Sequence, residues 1–314
     1  MRRTIIITFI IFFCAVNASY AFWLWNPKTK EFTNPQWTVK DSPKAQLQFA
    51  KEVLNTGNYK NALVEFRNLL RHYPESQEAS DAQFYVGECL EKMDKPYDAY
   101  LAYQKVIDKY AFNTKMDEVL QREFNIANTL ADAKVKILGL DFPQYYYAIT
   151  IYRKIIENSP YSKLAPLSQY KIGLVLKTSG DFAGAKKEFE KVISTYPDSE
   201  WVEASKFQLA KSASLVSLDA DYDQEATKEA KDRYEEFVST HPEAELSKEA
   251  KEEIVSLTDK EAEKDFNVGQ YYEKQKTYTS AGIYYEDVIS KYPKSVWAQR
   301  SLERIQVLKK EGKL

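Results

Sequence analysis

The chain holds two histidines and two cysteines, so its means for metal binding or nucleophilic attack are few. His72 and His241 each stand beside a proline corner (His72-Tyr73-Pro74 and His241-Pro242). Neither has a histidine or cysteine at ligand spacing, which argues against zinc. Cys89 falls next to Gly87 and Leu90 on what reads as the packed side of a helix, a place for a small core residue rather than a reactive thiolate. Asp219, Asp221 and Asp223 alternate as a calcium loop would, yet no glycine makes the turn and Ala230 stands where the bidentate glutamate belongs. Glu188 and Glu190 read as part of a solvated helical face. Phosphate loops, Gly-x-Ser-x-Gly elbows and dinucleotide fingerprints are missing from the sequence. The expectation is a binding protein, not an enzyme, with no cofactor and no metal. A formal charge of −2, or −4 without Arg2 and Arg3, gives no support to nucleic-acid binding.

The elements that carry these residues repeat. Segments such as GNYKNALVEFRNLLRHYPES, GDFAGAKKEFEKVISTYPDS and TYTSAGIYYEDVISKYPKS align on Ala62, Ala99, Ala148, Ala185, Ala230 and Ala281. Four residues on stand Phe66, Tyr103, Tyr152, Phe189, Tyr234 and Tyr285; three further stand Leu69, Val106, Ile155, Val192, Phe237 and Val288. Those offsets place a small residue, a ring and an aliphatic on one helical stripe. Twelve after each alanine comes Pro74, Pro160, Pro197, Pro242 or Pro293, with Ala111 in the second copy. Proline lacks the N–H that a helix needs and clashes with the preceding turn, so it marks where each second helix has ended. First helices are expected near Ala45–Asn55, Asp81–Met93, Leu167–Thr178, Val202–Ser217 and Glu263–Lys274. Gly87, Gly173 and Gly269 lie in mid-helix, 12 residues before the column alanine, where close packing is the reason to keep them. Alanines 37, 49, 37, 45 and 51 residues apart mean a repeat array. The predicted class is all-α, a solenoid of about six helix pairs with a C-terminal capping helix over residues 43–312.

The ends and inserts set the context. Arg2 and Arg3, the apolar run Ile5–Val16 and Ser19-Tyr20-Ala21 read as a signal peptide over residues 1–21, cleaved after Ala21. Residues 22–42 form an aromatic arm, in which Trp23, Trp25, Phe32 and Trp37 flank turn residues. The arm suits either an interfacial foot or docking hairpin, or an extended segment packed on the first repeat, the latter being preferred. Ile137, Leu138, Leu140 and Phe142 lie in an insert read as an apolar loop that covers a neighbouring helix rather than meeting a partner. The acidic insert around Asp219–Asp223 is expected to give way to a helix near Asp223.

Gly, Tyr or Phe, Ala, Tyr or Phe and Pro at these positions resemble the tetratricopeptide repeat. More narrowly, GNYKNALVEFRNLLRHYPES, KDRYEEFVSTHPEAE and EKDFNVGQYYEKQKTYTSAGIYYEDVISKYPKSVWAQRSLERI resemble the BamD family, tetratricopeptide subunits of the outer-membrane β-barrel assembly machine. That resemblance spans roughly Pro43 to Lys309. It implies a scaffold at the inner face of the outer membrane, with unfolded barrel clients met near Ala45–Tyr110 and the barrel subunit met near Glu261–Lys309. The family is usually lipidated, whereas Cys14 follows Ile11-Phe12-Phe13, a poor acceptor context. Attachment to the membrane is then expected to be peripheral and through partners. First helices of stacked repeats face a trough, so Leu47, Lys51, Leu54, Phe84, Glu88 and Lys92 are the expected peptide-binding residues. The other reading is a soluble periplasmic tetratricopeptide adaptor that coordinates peptidoglycan synthesis or envelope constriction. Such adaptors often bear a coiled coil, and no heptads precede Ala45.

Overall fold

A computed structural model describes residues 24–26, 31–33, 39–110, 115–137, 140–219 and 224–314. The signal peptide, Cys14, most of the aromatic arm and the centre of the acidic insert lie outside the described residues. Two compact units divide the chain, residues up to Val119 and residues from Leu120 onward.

In the first unit, α1 (Pro43–Asn55), α2 (Tyr59–His72), α3 (Gln77–Lys92) and α4 (Pro96–Lys109) form two helical pairs. Upstream, β1 (Leu24–Asn26) pairs antiparallel with β2 (Glu31–Thr33), Trp25 opposite Phe32. The division falls within α5 (Met116–Asp132). The second unit continues with β3 (Lys134–Ile137), β4 (Leu140–Pro143), α6 (Tyr145–Asn158), α7 (Leu164–Thr178) and α8 (Phe182–Thr195). It then runs through α9 (Trp201–Asp219), α10 (Gln224–Thr240), α11 (Leu246–Lys274), α12 (Tyr278–Lys291) and α13 (Val296–Lys310). Thirteen helices among the described residues give six pairs and a closing helix, an all-α fold of tetratricopeptide type. None of them is long and apolar enough to cross a membrane.

Every pair closes on the same seam. The column alanines are fully buried, and so are the rings four residues on. A Cβ built on Gly87 would stand 2.5 Å from Tyr103 Cε1; on Gly173, 2.6 Å from Phe189 Cε1; on Gly269, 2.7 Å from Tyr285 Cε1. Real carbon neighbours do not approach so closely, so glycine lets the ring of the second helix lie on the backbone of the first. The other pairs use alanine in this place, fully buried at Ala50, Ala127 and Ala210. Three residues before each small residue stands the ring or aliphatic that meets the second helix. Phe84 meets Tyr103 (centroids 5.4 Å apart), Phe124 meets Tyr152 (5.6 Å), Tyr170 meets Phe189 (5.6 Å), Phe207 meets Tyr234 (5.8 Å) and Phe266 meets Tyr285 (5.3 Å). Such tilted ring pairs add roughly 0.5–1.5 kcal/mol each beyond area burial.

Polar ties cross the same seams. Gln46 Nε2 donates to Glu65 O (3.1 Å) and Gln83 Nε2 to Ala102 O (2.9 Å). The Tyr103 hydroxyl donates to Glu91 (2.6 Å), that of Tyr285 to Glu273 (2.8 Å) and that of Tyr152 to Asn128 (2.8 Å). A buried ring that keeps its hydroxyl satisfied explains why the column tolerates tyrosine at these three positions; the buried hydroxyl of Tyr234 has no partner among the described residues.

Turns and stops follow from backbone chemistry. Between paired helices the chain enters the left-handed region at Gly57 (φ 78°) and Gly180 (φ 89°). Asp94 (φ 56°) and Lys276 (φ 61°) take the corresponding position, at a steric cost that glycine avoids. Second helices end two residues before the column proline, and the intervening cap leaves the helical region without becoming extended, as at Tyr73 (φ −131°, ψ 51°) and Tyr196 (φ −126°, ψ 57°). Tyr110, which precedes Ala111 rather than a proline, takes the same shape (φ −125°).

Three expectations are corrected. The last first-helix starts at Leu246, not Glu263, because neither glycine nor proline interrupts residues 246–268 and apolar residues line it throughout. Ala250 and Leu257 pack with Tyr234 and Phe237, while Ala262 and Phe266 pack with Tyr285 and Val288. The apolar insert after α5 is no loop but the hairpin β3–β4, in which Val135 pairs with Phe142 and Ile137 with Leu140. Lys136, Asp141 and the β-branched flanks alternate as a strand ladder does. Glu188 is not solvated: it is buried (6% exposed) and accepts from Gln169 Nε2 and Lys191 Nζ.

Candidate partner-binding surfaces

The expected trough on α1 and α3 is only partly open. Leu47 (8% exposed) and Phe84 (2%) are buried, Phe84 against Tyr103 of its paired second helix and Leu47 at the matching position three residues before Ala50. They are withdrawn as contact residues. Lys51, Leu54 and Glu88 are half-buried and Lys92 is exposed. The residue that organises this face is Tyr85, which sequence periodicity passed over. Its ring stacks on Phe66 (5.2 Å, 15° between planes) and lies under Lys51 Nζ (4.8 Å) and Lys115 Nζ (4.9 Å). Lys115 also pairs with Asp81 (3.0 Å). The available signal was the doublet Phe84-Tyr85: at about 100° per residue one ring enters the seam and the next must leave it.

A second concavity lies on the other side of α3, between α2 and α4. It measures about 450 Å³. Leu63, Val86 and Leu90 make its floor, Leu101 (43% exposed) part of its wall, and Arg67, Lys95, Lys105 and Asp98 its rim. A corresponding cleft of about 330 Å³ lies over α9, between α8 and α10, with Ile193, Leu209 and Phe237 inside. There Arg233 donates to Glu229 (2.9 Å) and Glu190 (3.1 Å), so the rim is neutralised from within.

The second unit is laced by further charge pairs: Lys186 with Glu229 (2.6 Å), Lys211 with Glu249 (2.6 Å), Lys231 with Glu261 (2.9 Å), and Arg304 with Glu273. Burial alone would push the Glu229 and Glu273 carboxyls up. Hydrogen bonds from Lys186 and Arg233, and from Arg304 and Tyr285, outweigh it and hold both below the ordinary glutamate value. Burial and then the charge of Lys211 lower Lys177, whose Nζ donates to Gln208 Oε1.

Cys89 and His241, two of the residues that suggested chemistry, are packed into the fold. Cys89 is fully buried, and burial followed by the neighbouring Glu88 pushes its thiol up to about 12, far from a reactive thiolate. His241 stacks on Phe237 (5.2 Å) and its carbonyl accepts from Ser247 Oγ; His72 is exposed at a helix end. Among the described residues no cluster of three His, Cys, Asp or Glu could hold a metal ion.

Comparison with known proteins agrees with the repeat architecture. Residues 212–311 match the family YfiO, described as outer membrane lipoprotein, and residues 81–112 and 167–199 match a tetratricopeptide repeat family. Among curated proteins none matches the chain. Solved structures that resemble it include the C-terminal part of a tetratricopeptide-repeat protein from Cytophaga hutchinsonii, at 17% identity and TM-score 0.40, covering 83% of this chain and 88% of that one. A tetratricopeptide repeat protein from Parabacteroides merdae has 14% identity and TM-score 0.36, covering 83% and 97%. MamA from Desulfovibrio magneticus has 13% identity and TM-score 0.35, covering 66% and 99%. Two segments of the chain, residues 81–112 and 167–199, thus carry tetratricopeptide-repeat sequence within an all-α repeat fold. The final hundred-odd residues carry a YfiO-type, BamD-like region.

Proposed function

We propose that this protein is a cell-envelope scaffold that acts in the assembly of β-barrel outer-membrane proteins. The observation that carries this reading is the YfiO match over residues 212–311, which takes in α10 to α13. The signal-peptide pattern of residues 1–21 supports export, and the catalytically bare repeats support a role in holding other proteins. In this reading Glu261–Lys309 docks the membrane-embedded barrel subunit. Client segments meet the first repeats at Lys51, which lies over Tyr85, and at Leu54, Glu88 and Lys92. It works without a cofactor or catalysis, and sits at the inner face of the outer membrane. Because Cys14 is a poor lipid acceptor, attachment is through the partner rather than an acyl anchor.

Affinity purification of the full protein from its own cells is expected to recover a barrel protein with periplasmic repeat domains. Recovery of envelope-constriction or peptidoglycan-synthesis proteins alone would overturn the reading in favour of a periplasmic adaptor. The mass of the mature N-terminus tests the anchor: cleavage after Ala21 without acylation is expected.

A further inference from the structure

The cleft over α3 has a charge imbalance that the rest of the molecule lacks a use for. Arg67, Lys95 and Lys105 are exposed on its rim, and among the described residues none of the three makes an ion pair. A single carboxylate, Asp98, stands among them. Beneath lie Leu63, Val86 and Leu90, with Leu101 left 43% exposed although its neighbours Tyr100 and Ala102 are buried. Leu101 lies two residues past the column alanine, off the apolar stripe, where Lys187 and Asp232 stand in the fourth and fifth repeats. Val64 and Ile283 are likewise apolar and exposed at this position, and Leu101 differs in lining a cleft with a cationic rim. An apolar side chain is thus held at the mouth of a cationic cleft, in a volume of the size that takes a few anchoring side chains.

We propose that this cleft receives an acidic, apolar-anchored segment of a partner protein. One or two aliphatic or aromatic side chains enter over Val86 and Leu90, and carboxylates on either side reach Arg67, Lys95 and Lys105. The apolar anchor supplies affinity, and the cations supply orientation and encounter rate. The cleft over α9 shows what the alternative looks like: its Arg233 is already held by Glu190 and Glu229, and its remaining charges, Lys206 and Glu236, are of opposite sign, so the lining carries no net excess of cations. Nucleic acid fits poorly, because no aromatic side chain lines the α3 cleft to stack a base. Residues 83, 86 and 90 face the cleft, on roughly the opposite side of α3 from Tyr85 and Glu88. The site is therefore a second surface, and its existence does not depend on the envelope reading.

Fluorescence anisotropy with the full chain and a short labelled peptide alternating Glu with Leu and Phe tests this. Binding that weakens with added salt is expected, and Arg67→Glu with Lys105→Glu should weaken it by about tenfold or more. Leu101→Ser should also weaken it, whereas Lys206→Glu, in the cleft over α9, should leave it unchanged. All these positions are exposed or half-buried, and unchanged helical circular dichroism checks the fold. Equal binding of the same peptide with Lys in place of Glu overturns the proposal, as does indifference to the charge reversals. Tighter binding of a single-stranded oligonucleotide, lost on the same reversals, would reassign the cleft to nucleic acid. Self-association seen in sedimentation and abolished by Arg67→Glu would give the cleft to a second copy.

Discussion

The clefts over α3 and α9 occupy matching places in their repeats, each floored by a first helix and walled by the second helices on either side. In the second unit, acids on neighbouring helices reach the cations: Glu190 and Glu229 hold Arg233, and Glu229 also holds Lys186. In the first unit Arg67, Lys95 and Lys105 project from the same kind of rim without such acids. The seams beneath are alike in both units, a small residue under a ring. The fold is therefore set by seams that the two units share, while the rims are free to fasten the repeats together or to face a partner. Recognition in this protein has to be sought where the charges are not already satisfied internally.

The largest effects should come from the shared layer. Gly87→Val and Gly173→Val each force a branched side chain into a ring, and each should cost about 3 kcal/mol or more in urea unfolding. A large difference between the two would break the claim that the seams are equivalent. Next comes acid. The Glu229 and Glu273 carboxyls are held below 4.5 in the fold, so their contribution is present above that value and is lost as pH falls through their folded values. Hydrogen exchange of the full chain should therefore show protection in α8 and in α10 to α13 falling as pH drops below about 4.5. Loss confined to α1–α4 would reverse the comparison. A smaller effect is expected of Glu229→Gln, which frees Lys186 and leaves Arg233 with Glu190 alone. The Glu229, Lys186 and Arg233 side chains are 21–35% exposed, so roughly 1 kcal/mol or less should be lost, with faster exchange in α8 and α10 and none in α2 and α4. The smallest change is a gain: Asp94→Gly and Lys276→Gly relieve left-handed backbone and should each stabilise by up to about 1 kcal/mol in thermal unfolding.

Much of this shared layer could be read from spacing alone. The alanine, ring and aliphatic columns fall at offsets a helix enforces, and the prolines mark where second helices have stopped. The small residues on first helices were legible where no insert intervened and glycine drew the eye, at Gly87, Gly173 and Gly269. Ala50 keeps the same 12-residue offset, but an alanine in a helix carries no signal. Ala127 and Ala210 were displaced from that offset by the β3–β4 hairpin and the acidic insert. Burial of Leu47 and Phe84 was missed because amphipathic spacing shows which residues share a side, not which of two flanking helices that side meets. Glu188 looked solvated because a carboxylate usually is; its partner Gln169 is remote in sequence. The cleft over α3 could not be read at all. Its cations come from α2 and α4 and the start of that helix, and only the fold shows that no acid reaches them.

The 29-residue α11 belongs at one end to the core of Tyr234 and Phe237 and at the other to that of Tyr285 and Val288. Repeats joined by a flexible turn can open one at a time, whereas a single rod built into two neighbours transmits strain between them. Pulling on the chain's final helices should therefore disturb α10 as well, so that a load borne at Glu261–Lys309 is felt a full repeat upstream.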